Sequence, residues 1–185
     1  MPKRVVVKDK GMKRAQRAIR AMDGFAATVG IHTDDNAHDG EMTNARLGAI
    51  HEFGVTFTHP GGTPYMVVGG RAVFLPKGDS RATGVTGPHE ITIPERSFLR
   101  SAWDKNVRGY ERALAKFSGR VIDGTLAPSA AVGLLAEKVL DDIIMGINRG
   151  IPPELAPATS ERKDSTKQLI HTGQLKMSIK AKVSK

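Results

Sequence analysis

Apolar residues recur every three or four positions along two long stretches of the chain, and this period predicts two long helices. The first helix begins near Ser97, and its apolar stripe comprises Leu99, Trp103 (or Ala102), Val107 (or Asn106), Tyr110, Leu114, Phe117 and Val121. The second covers residues 129–148, with an apolar side made of Val132, Leu135, Val139, Leu140, Ile143, Ile144 and Ile147. Burial of Trp103, Tyr110 and Phe117 is expected to supply a large share of the core energy, at about 25 cal/mol per Å² of apolar surface.

Two shorter helices are predicted earlier in the chain. Residues 11–23 have helical spacing of the apolar residues Met12, Ala15, Ile19 and Met22, while the Lys and Arg side chains face elsewhere. Residues 43–53 form the second short helix, which Thr43 is placed to cap.

Five segments have the patterns of strands. Residues 25–33 are typical of a strand, and residues 90–93 of a short one that ends before a proline. Residues 65–68 and 71–75 flank a Gly-Gly pair at the spacing of a two-residue hairpin. Residues 176–183 alternate apolar and polar side chains, which predicts a half-buried strand.

These elements predict an α+β fold in which one small, mostly antiparallel sheet packs against the two long helices, with extended termini. The C-terminal strand is expected to pair with the strand at 25–33. We divide the chain into a basic N-terminal segment that includes the first helix (residues 1–24) and one domain (25–185). Within that domain, residues 54–90 form a Gly-rich excursion, a hairpin followed by a mobile loop at 77–89, and residues 151–185 form a distinct C-terminal segment.

The formal charge of +9 is concentrated at the two ends of the chain. Residues 1–20 have a net charge of +7 and residues 160–185 of +5, whereas the middle has −3. Such ends favour contacts with acidic partners or nucleic acid. The alternative for the basic helix at 11–23 is an ordinary solvated face, because it lacks the aromatic residues of many nucleic-acid readers.

Candidate catalytic and metal-binding patterns are few. The acidic segment 34–41 with His32 contains possible metal ligands, but their spacing matches neither a calcium loop nor a zinc motif, so a solvent-exposed loop is the better interpretation. The pair His51-Glu52 fails the zinc-protease motif because Val55, not histidine, lies four residues after His51. The chain has no cysteine, phosphate-binding loop or catalytic triad pattern, and no apolar run of membrane-span length. We therefore predict no enzyme activity, cofactor or metal.

Three segments together resemble phage neck and tail-completion proteins. The first is NARLGAIHEFG at residues 44–54, and the second is IPERSFLRSAWD at residues 93–104. The third, at residues 152–183, begins with PPELAPATSERK and ends with QLIHTGQLKMSIKAKV. They follow the order of the family and span roughly residues 25–183, but the Gly-rich segment between the first two has no counterpart in the family.

The resemblance implies a structural protein of the virion neck that joins head to tail. It implies a ring of about six or twelve copies around the DNA channel, assembled in the host cytoplasm. The implied partners are further copies, portal-side connector proteins, tail terminator or tail tube proteins, and DNA contacted without sequence specificity, but no membrane. The loop at 77–89 would then reach a neighbour or the lumen, or be an ordinary surface loop.

Two other functions stay open: a tail terminator or minor tail protein, and a basic nucleic-acid-binding accessory protein. The residues that we expect to mediate interactions are basic. Arg96 is expected to form an inter-subunit salt bridge, or else to have a capping or surface role. The full set comprises Lys3, Arg4, Arg14, Arg17, Arg20, Arg96, Arg162, Lys163, Lys176 and Lys180.

Overall fold

The computed structural model describes residues 10–33, 42–155, 169 and 173–185. Five helices and seven strands lie in these ranges. In chain order they are α1 (Lys10–Met22), β1 (Ala26–Ile31), α2 (Asn44–Phe53), β2 (Val55–His59), β3 (Pro64–Val68), β4 (Arg71–Phe74), β5 (Gly84–Val85), β6 (His89–Ile93), α3 (Leu99–Ile122), α4 (Pro128–Arg149), α5 (Gln174–Ser178) and β7 (Ile179–Ser184).

The body of the protein is built on the two long helices α3 and α4, which pack extensively against each other. The α+β class and both long helices are therefore confirmed. Phe98, just before α3, and Ile147, on α4, are each only 1% exposed and form the centre of the core. The C-terminal residues Leu175 and Ile179 complete this core. The shorter helix α1 packs against both α3 and α4.

Strands β1 and β7 form an antiparallel pair on α4. Ala26 lies opposite Ser184, and Ile31 lies opposite Ile179, so the predicted pairing of the C-terminal strand is confirmed. Helix α2 packs beside this pair through Gly48, where a Cβ atom would lie 2.9 Å from the Ile31 side chain. The absence of a side chain at Gly48 thus permits the close approach of α2 to the core.

Residues 55–93 leave the body after α2 and return just before α3, and we call this excursion the arm. Strands β2 and β6 pair antiparallel along the stem of the arm. Beyond them, β3 pairs with β4 on one edge and with β5 on the other. Of the sheets in the described part of the chain, β1–β7 packs most extensively on the helices. The arm is therefore built mainly from strand pairing within itself.

Three details differ from the sequence-based expectations. The predicted strands are distributed over three small sheets (β1–β7, β2–β6 and β4–β3–β5), not one. The segment at 77–89, predicted as a loop, contains β5, which pairs with β3. The side chain of Trp103, predicted as a core residue, is 51% exposed and contacts Tyr110, with ring centroids 5.3 Å apart. The apolar stripe of α3 is thus wider than the part of the helix that α4 covers, and Trp103 lies outside the covered part.

Candidate functional site

The base of the arm is held by one buried carboxylate, Glu52, at the end of α2. Its side chain accepts hydrogen bonds from the hydroxyl of Ser97 at 2.7 Å and from the backbone N–H groups of Leu99 and Arg100 at 2.9 and 3.0 Å. These are orphan N–H groups of the first turn of α3, whose own N-cap residue supplies no side-chain cap. Glu52 therefore caps a helix that is distant in sequence.

The environment of Glu52 favours its charged form. Burial by itself would raise the pKa of this carboxyl group. The hydrogen bonds from Leu99, Ser97 and Arg100 outweigh that effect, so the pKa lies below its ordinary value of 4.5. The positive end of the α3 dipole acts in the same direction. Glu52 thus stabilises the folded state as an anion.

Replacing Glu52 with glutamine tests this role. The amide of the introduced side chain would present N–H groups to N–H donors, so we expect Glu52→Gln to lower the free energy of unfolding by about 1–3 kcal/mol near neutral pH. Because the folded pKa is depressed, the stabilisation is complete above the ordinary pKa of 4.5 and is lost as pH falls through the folded value. Urea unfolding at several pH values should therefore show the two proteins converging in acid. Glu111→Gln, at an exposed position on α3 that forms no ion pair with the described residues, is the matched control and should change stability by less than about 0.5 kcal/mol. A constant difference at all pH values would contradict the assignment.

Arg100 extends the capping contact to the surface of the arm base. Its Nε atom lies 3.1 Å from Glu52 Oε1, and its Nη2 atom donates to the Glu52 carbonyl at 2.9 Å and to the Glu95 carboxylate at 2.8 Å. The guanidinium carbon also lies 4.9 Å from the centroid of the Phe53 ring. One side chain thereby ties the residues before β2 to those after β6.

Arg96 connects the same junction to the C-terminal segment. Its backbone N–H donates to the carbonyl of His51 at 2.7 Å. Its guanidinium donates to the carbonyls of Pro153 and Glu154 at 2.9 and 3.0 Å. Burial lowers the pKa of Arg96. The residue is only 6% exposed, so it caps backbone carbonyls within its own chain; a surface role is excluded, and the predicted inter-subunit salt bridge has no support here. Residues 44–54 and 93–104 thus meet Pro153 and Glu154 at one structural junction, which also includes Glu52, Gly54, Glu95, Arg96, Ser97 and Arg100.

Gly54 connects this junction to the first strand of the arm. It has φ 68° and ψ 166°, a combination essentially restricted to glycine. A Cβ atom at this position would lie 2.8 Å from the backbone nitrogen of Glu95 and 3.0 Å from the carbonyl oxygen of Ile93. The two ends of the arm are therefore in backbone contact at Gly54.

The arm exposes apolar side chains on its strands. The register of β2–β6 places Val55, Phe57, Ile91 and Ile93 on one face and threonines on the other. In the β4–β3–β5 sheet, both faces are apolar: one has Tyr65, Val67 and Phe74, and the other has Met66, Val68, Val73 and Val85. The exposed fraction is 58% for Val67 and 64% for Val85. Clustered exposed apolar residues of this kind mark interaction surfaces.

The predicted interaction residues in the described part of the chain lie on separate elements and do not form one site. Arg14, Arg17 and Arg20 are exposed on α1, and Lys180 is exposed on β7. Lys176 donates from Nζ to Asn148 Oδ1 at 3.3 Å. Lys3, Arg4, Arg162 and Lys163 lie outside the described residues, as does the acidic segment 34–41. Sequence reasoning missed Glu52 and Gly54, although an acid and a glycine at the end of a short helix were visible in the sequence.

One cleft of about 330 Å³ lies between the start of α3 and the end of α4. Its lining includes the carboxylates Glu95 and Asp142 and the cations Lys105 and Arg149, but no histidine. Deeper between the helices, burial first and the nearby Asp142 second raise the pKa of Tyr110 to about 12. The lining therefore offers charged groups of both signs but no serine–histidine pair. Among the described residues, no cluster of three His, Asp or Glu side chains is placed to hold a metal.

In the ranges that the structure describes, none of the helices combines the length and the apolar character needed to cross a membrane. Comparisons with protein-family models, curated proteins and solved structures found no match to this chain.

Proposed function

We propose that this chain is a structural protein of a tailed-phage neck, a tail-completion or head–tail joining protein that forms part of a ring around the DNA channel. Its partners would be further copies of itself, portal-side connector proteins, and tail terminator or tail tube proteins. Its role is to present surfaces in a fixed geometry, not to catalyse a reaction, and its place is the neck or tail of the virion.

The observation that carries this proposal is the arm. A small sheet with apolar side chains on both faces is marginal in water by itself, and exposed strand edges invite pairing with another chain. The arm is nevertheless anchored by a buried carboxylate, a buried arginine and a backbone contact at Gly54. A firmly anchored, apolar projection suits a protein whose surface is completed by neighbours in an assembly. The choice of a phage neck as that assembly rests on the resemblance of residues 44–54, 93–104 and 152–183 to phage neck and tail-completion proteins.

Two alternatives remain beside it. A tail terminator or minor tail protein would use the same arm and differs in its place in the virion. A nucleic-acid-binding accessory protein is favoured by the sequence pI of about 10.0 and by the exposed arginines of α1. Binding of that kind depends on phosphate contacts and weakens steeply with salt.

The mass of the purified protein in solution distinguishes these functions. We would measure it by light scattering after size exclusion, at low and near-physiological salt, with and without a DNA duplex, and image the main peak by negative-stain electron microscopy. The proposal predicts a discrete closed ring whose mass does not depend on duplex. A monomer or dimer that still binds duplex at near-physiological salt would reject the neck assignment in favour of the nucleic-acid alternative.

A further inference from the structure

Two helical faces outside the arm have complementary chemistry. One lies on α1, where Met12 is 57% exposed and Ile19 is 63% exposed. These two residues are seven positions apart, so they lie on the same side of the helix, about 10 Å apart along its axis. The exposed cations Lys13, Arg17 and Arg20 occupy the adjacent sector of the helix. We call this surface the basic face of α1.

The second surface lies on α4, on the side directed away from the core. Leu134 and Met145 are 43% and 44% exposed, and the exposed acids Glu137 and Asp141 lie between them in the sequence. At 100° per residue, all four fall within an arc of about 80° over about 16 Å of helix. We call this surface the acidic face of α4.

The charged residues of both faces have no ionic partners within the described part of the chain. Ion pairs there involve Asp79 with Arg81, Arg100 with two glutamates, and Lys138 with Asp142. None includes the cations of the basic face or the two acids of the acidic face. Since their side chains are exposed, these surfaces are open to a second molecule.

We infer that the basic face of α1 in one copy docks on the acidic face of α4 in the next copy. The inference rests on the proposed function, and it identifies one contact of the ring. The charges are opposite, and each face combines exposed apolar side chains with charged ones, as protein interfaces do. Because the proposed function is a ring, we take this contact as heterologous: it repeats from copy to copy and closes a ring when the rotation between copies allows. A reciprocal two-fold dimer of the same two faces would have twice the mass of one chain in light scattering and would overturn this arrangement.

The apolar residues decide between a protein and a nucleic acid as the occupant. Phosphate contacts need cations alone, whereas Met12 and Ile19 at the edge of the basic face fit Leu134 and Met145 on another chain. Each face spans only about two or three helical turns. The contact therefore supplies part of a standard interface of about 800 Å² per partner, and the arm supplies more.

Charge reversal on the two faces tests the inference. The first variant carries Arg17→Glu and Arg20→Glu, and the second carries Glu137→Lys and Asp141→Lys. In each, like charges would meet, and we expect the association measured by light scattering to weaken at least about a hundredfold. All four positions are exposed, so thermal unfolding of the free chains should change little. The matched control is Arg112→Glu with Lys116→Glu, a reversal of two exposed charges on α3, which should leave association unchanged.

Mixing the two variants gives the decisive result. Every contact in an alternating mixture pairs opposite charges, so the mixture should assemble although neither variant does alone, and its rings should contain equal numbers of both chains. Rings that persist in both variants would overturn the inference and leave the proposed function standing. A wild-type chain that forms no ring at its highest soluble concentration would overturn both. Loss of duplex binding in the first variant, with its rings intact, would instead assign the basic face to nucleic acid and overturn the inference.

Discussion

Gly54→Ala should lower the free energy of unfolding by at least about 3 kcal/mol, the largest loss of stability that we predict for any exchange at the base of the arm. Two effects add at this position. The backbone has a positive φ of 68° with an extended ψ, and a methyl group would lie 2.8 Å from the Glu95 nitrogen. The Glu95 nitrogen and the Ile93 carbonyl oxygen, the two atoms nearest to that methyl group, both belong to the backbone, so the crowding cannot be relieved by a side chain that moves aside. For a chain of this size, the loss corresponds to a fall in Tm of roughly 6–12 °C.

Gly62→Ala is the matched control for this exchange. Gly62 also has a positive φ, of 82°, but no atom lies within 4 Å of a Cβ placed there. The exchange Gly62→Ala should therefore lower the free energy of unfolding only by the conformational strain, about 1–2 kcal/mol. Calorimetry of the two variants measures how much more a side chain costs at Gly54, where the two ends of the arm are in contact, than at an uncrowded glycine of positive φ. Equal losses in both would show that the close contact at Gly54 has no energetic role.

The second large effect is expected on assembly. Val67 and Val68 lie on opposite faces of the β4–β3–β5 sheet, with exposed fractions of 58% and 53%. Threonine keeps the shape and the strand preference of valine but adds a hydroxyl group, which is costly to bury without a partner. If a neighbour covers one face of the sheet, the exchange on that face should weaken association by about 1–3 kcal/mol, or roughly 5- to 150-fold.

Single variants Val67→Thr and Val68→Thr also show which face of the sheet is covered. The face in contact with a neighbour should give the larger loss of association in light scattering, while the Tm of the dissociated chain stays nearly constant. Met177→Gln provides the control, since Met177 is 61% exposed but lies on α5, away from the arm. Association that is insensitive to both valine exchanges would mean that the arm is not an interface.

Elements that depend on contacts between residues close in sequence were predictable, and those that depend on contacts between distant residues were not. The four helices predicted from periodicity are present, because a helix is specified by residues three and four positions apart. Thr43 caps α2 as expected, with its hydroxyl oxygen accepting from the Arg46 N–H at 3.2 Å. Likewise, the hairpin of β3 and β4 formed around its Gly-Gly turn. These elements depend on local sequence alone.

The separation of the strands into three sheets was not predictable, because strand pairing is long-range. Pairing partners such as Val55 and Ile93 are distant in sequence, and the same alternation would suit several partners. The junction shows the same limit. Glu52 meets Leu99 and Arg100 across 47 and 48 positions, and Arg96 meets Pro153 across 57. In the sequence, Glu52 stands out only through the incomplete zinc-protease pattern with His51, which gives no sign of its contact with α3.

The burial of Arg96 decides among the roles that were expected of it: an inter-subunit salt bridge, or else a capping or surface role. Two backbone carbonyls of the C-terminal segment accept hydrogen bonds from its guanidinium inside the chain, which is the capping role. The exposed arginines of α1 are therefore better interaction candidates than Arg96, and the charge reversal on α1 examines two of them.

Amide hydrogen exchange of the arm tests the central claim most directly. The rates would be compared for residues 64–74 in the assembled protein and in chains dissociated by dilution. The claim that neighbours cover the arm predicts exchange at least about tenfold slower in the assembly for β3 and β4, where the open edge of β4 gains a covering partner. Identical exchange of these strands in both states, with slowing confined to other parts of the chain, would contradict it.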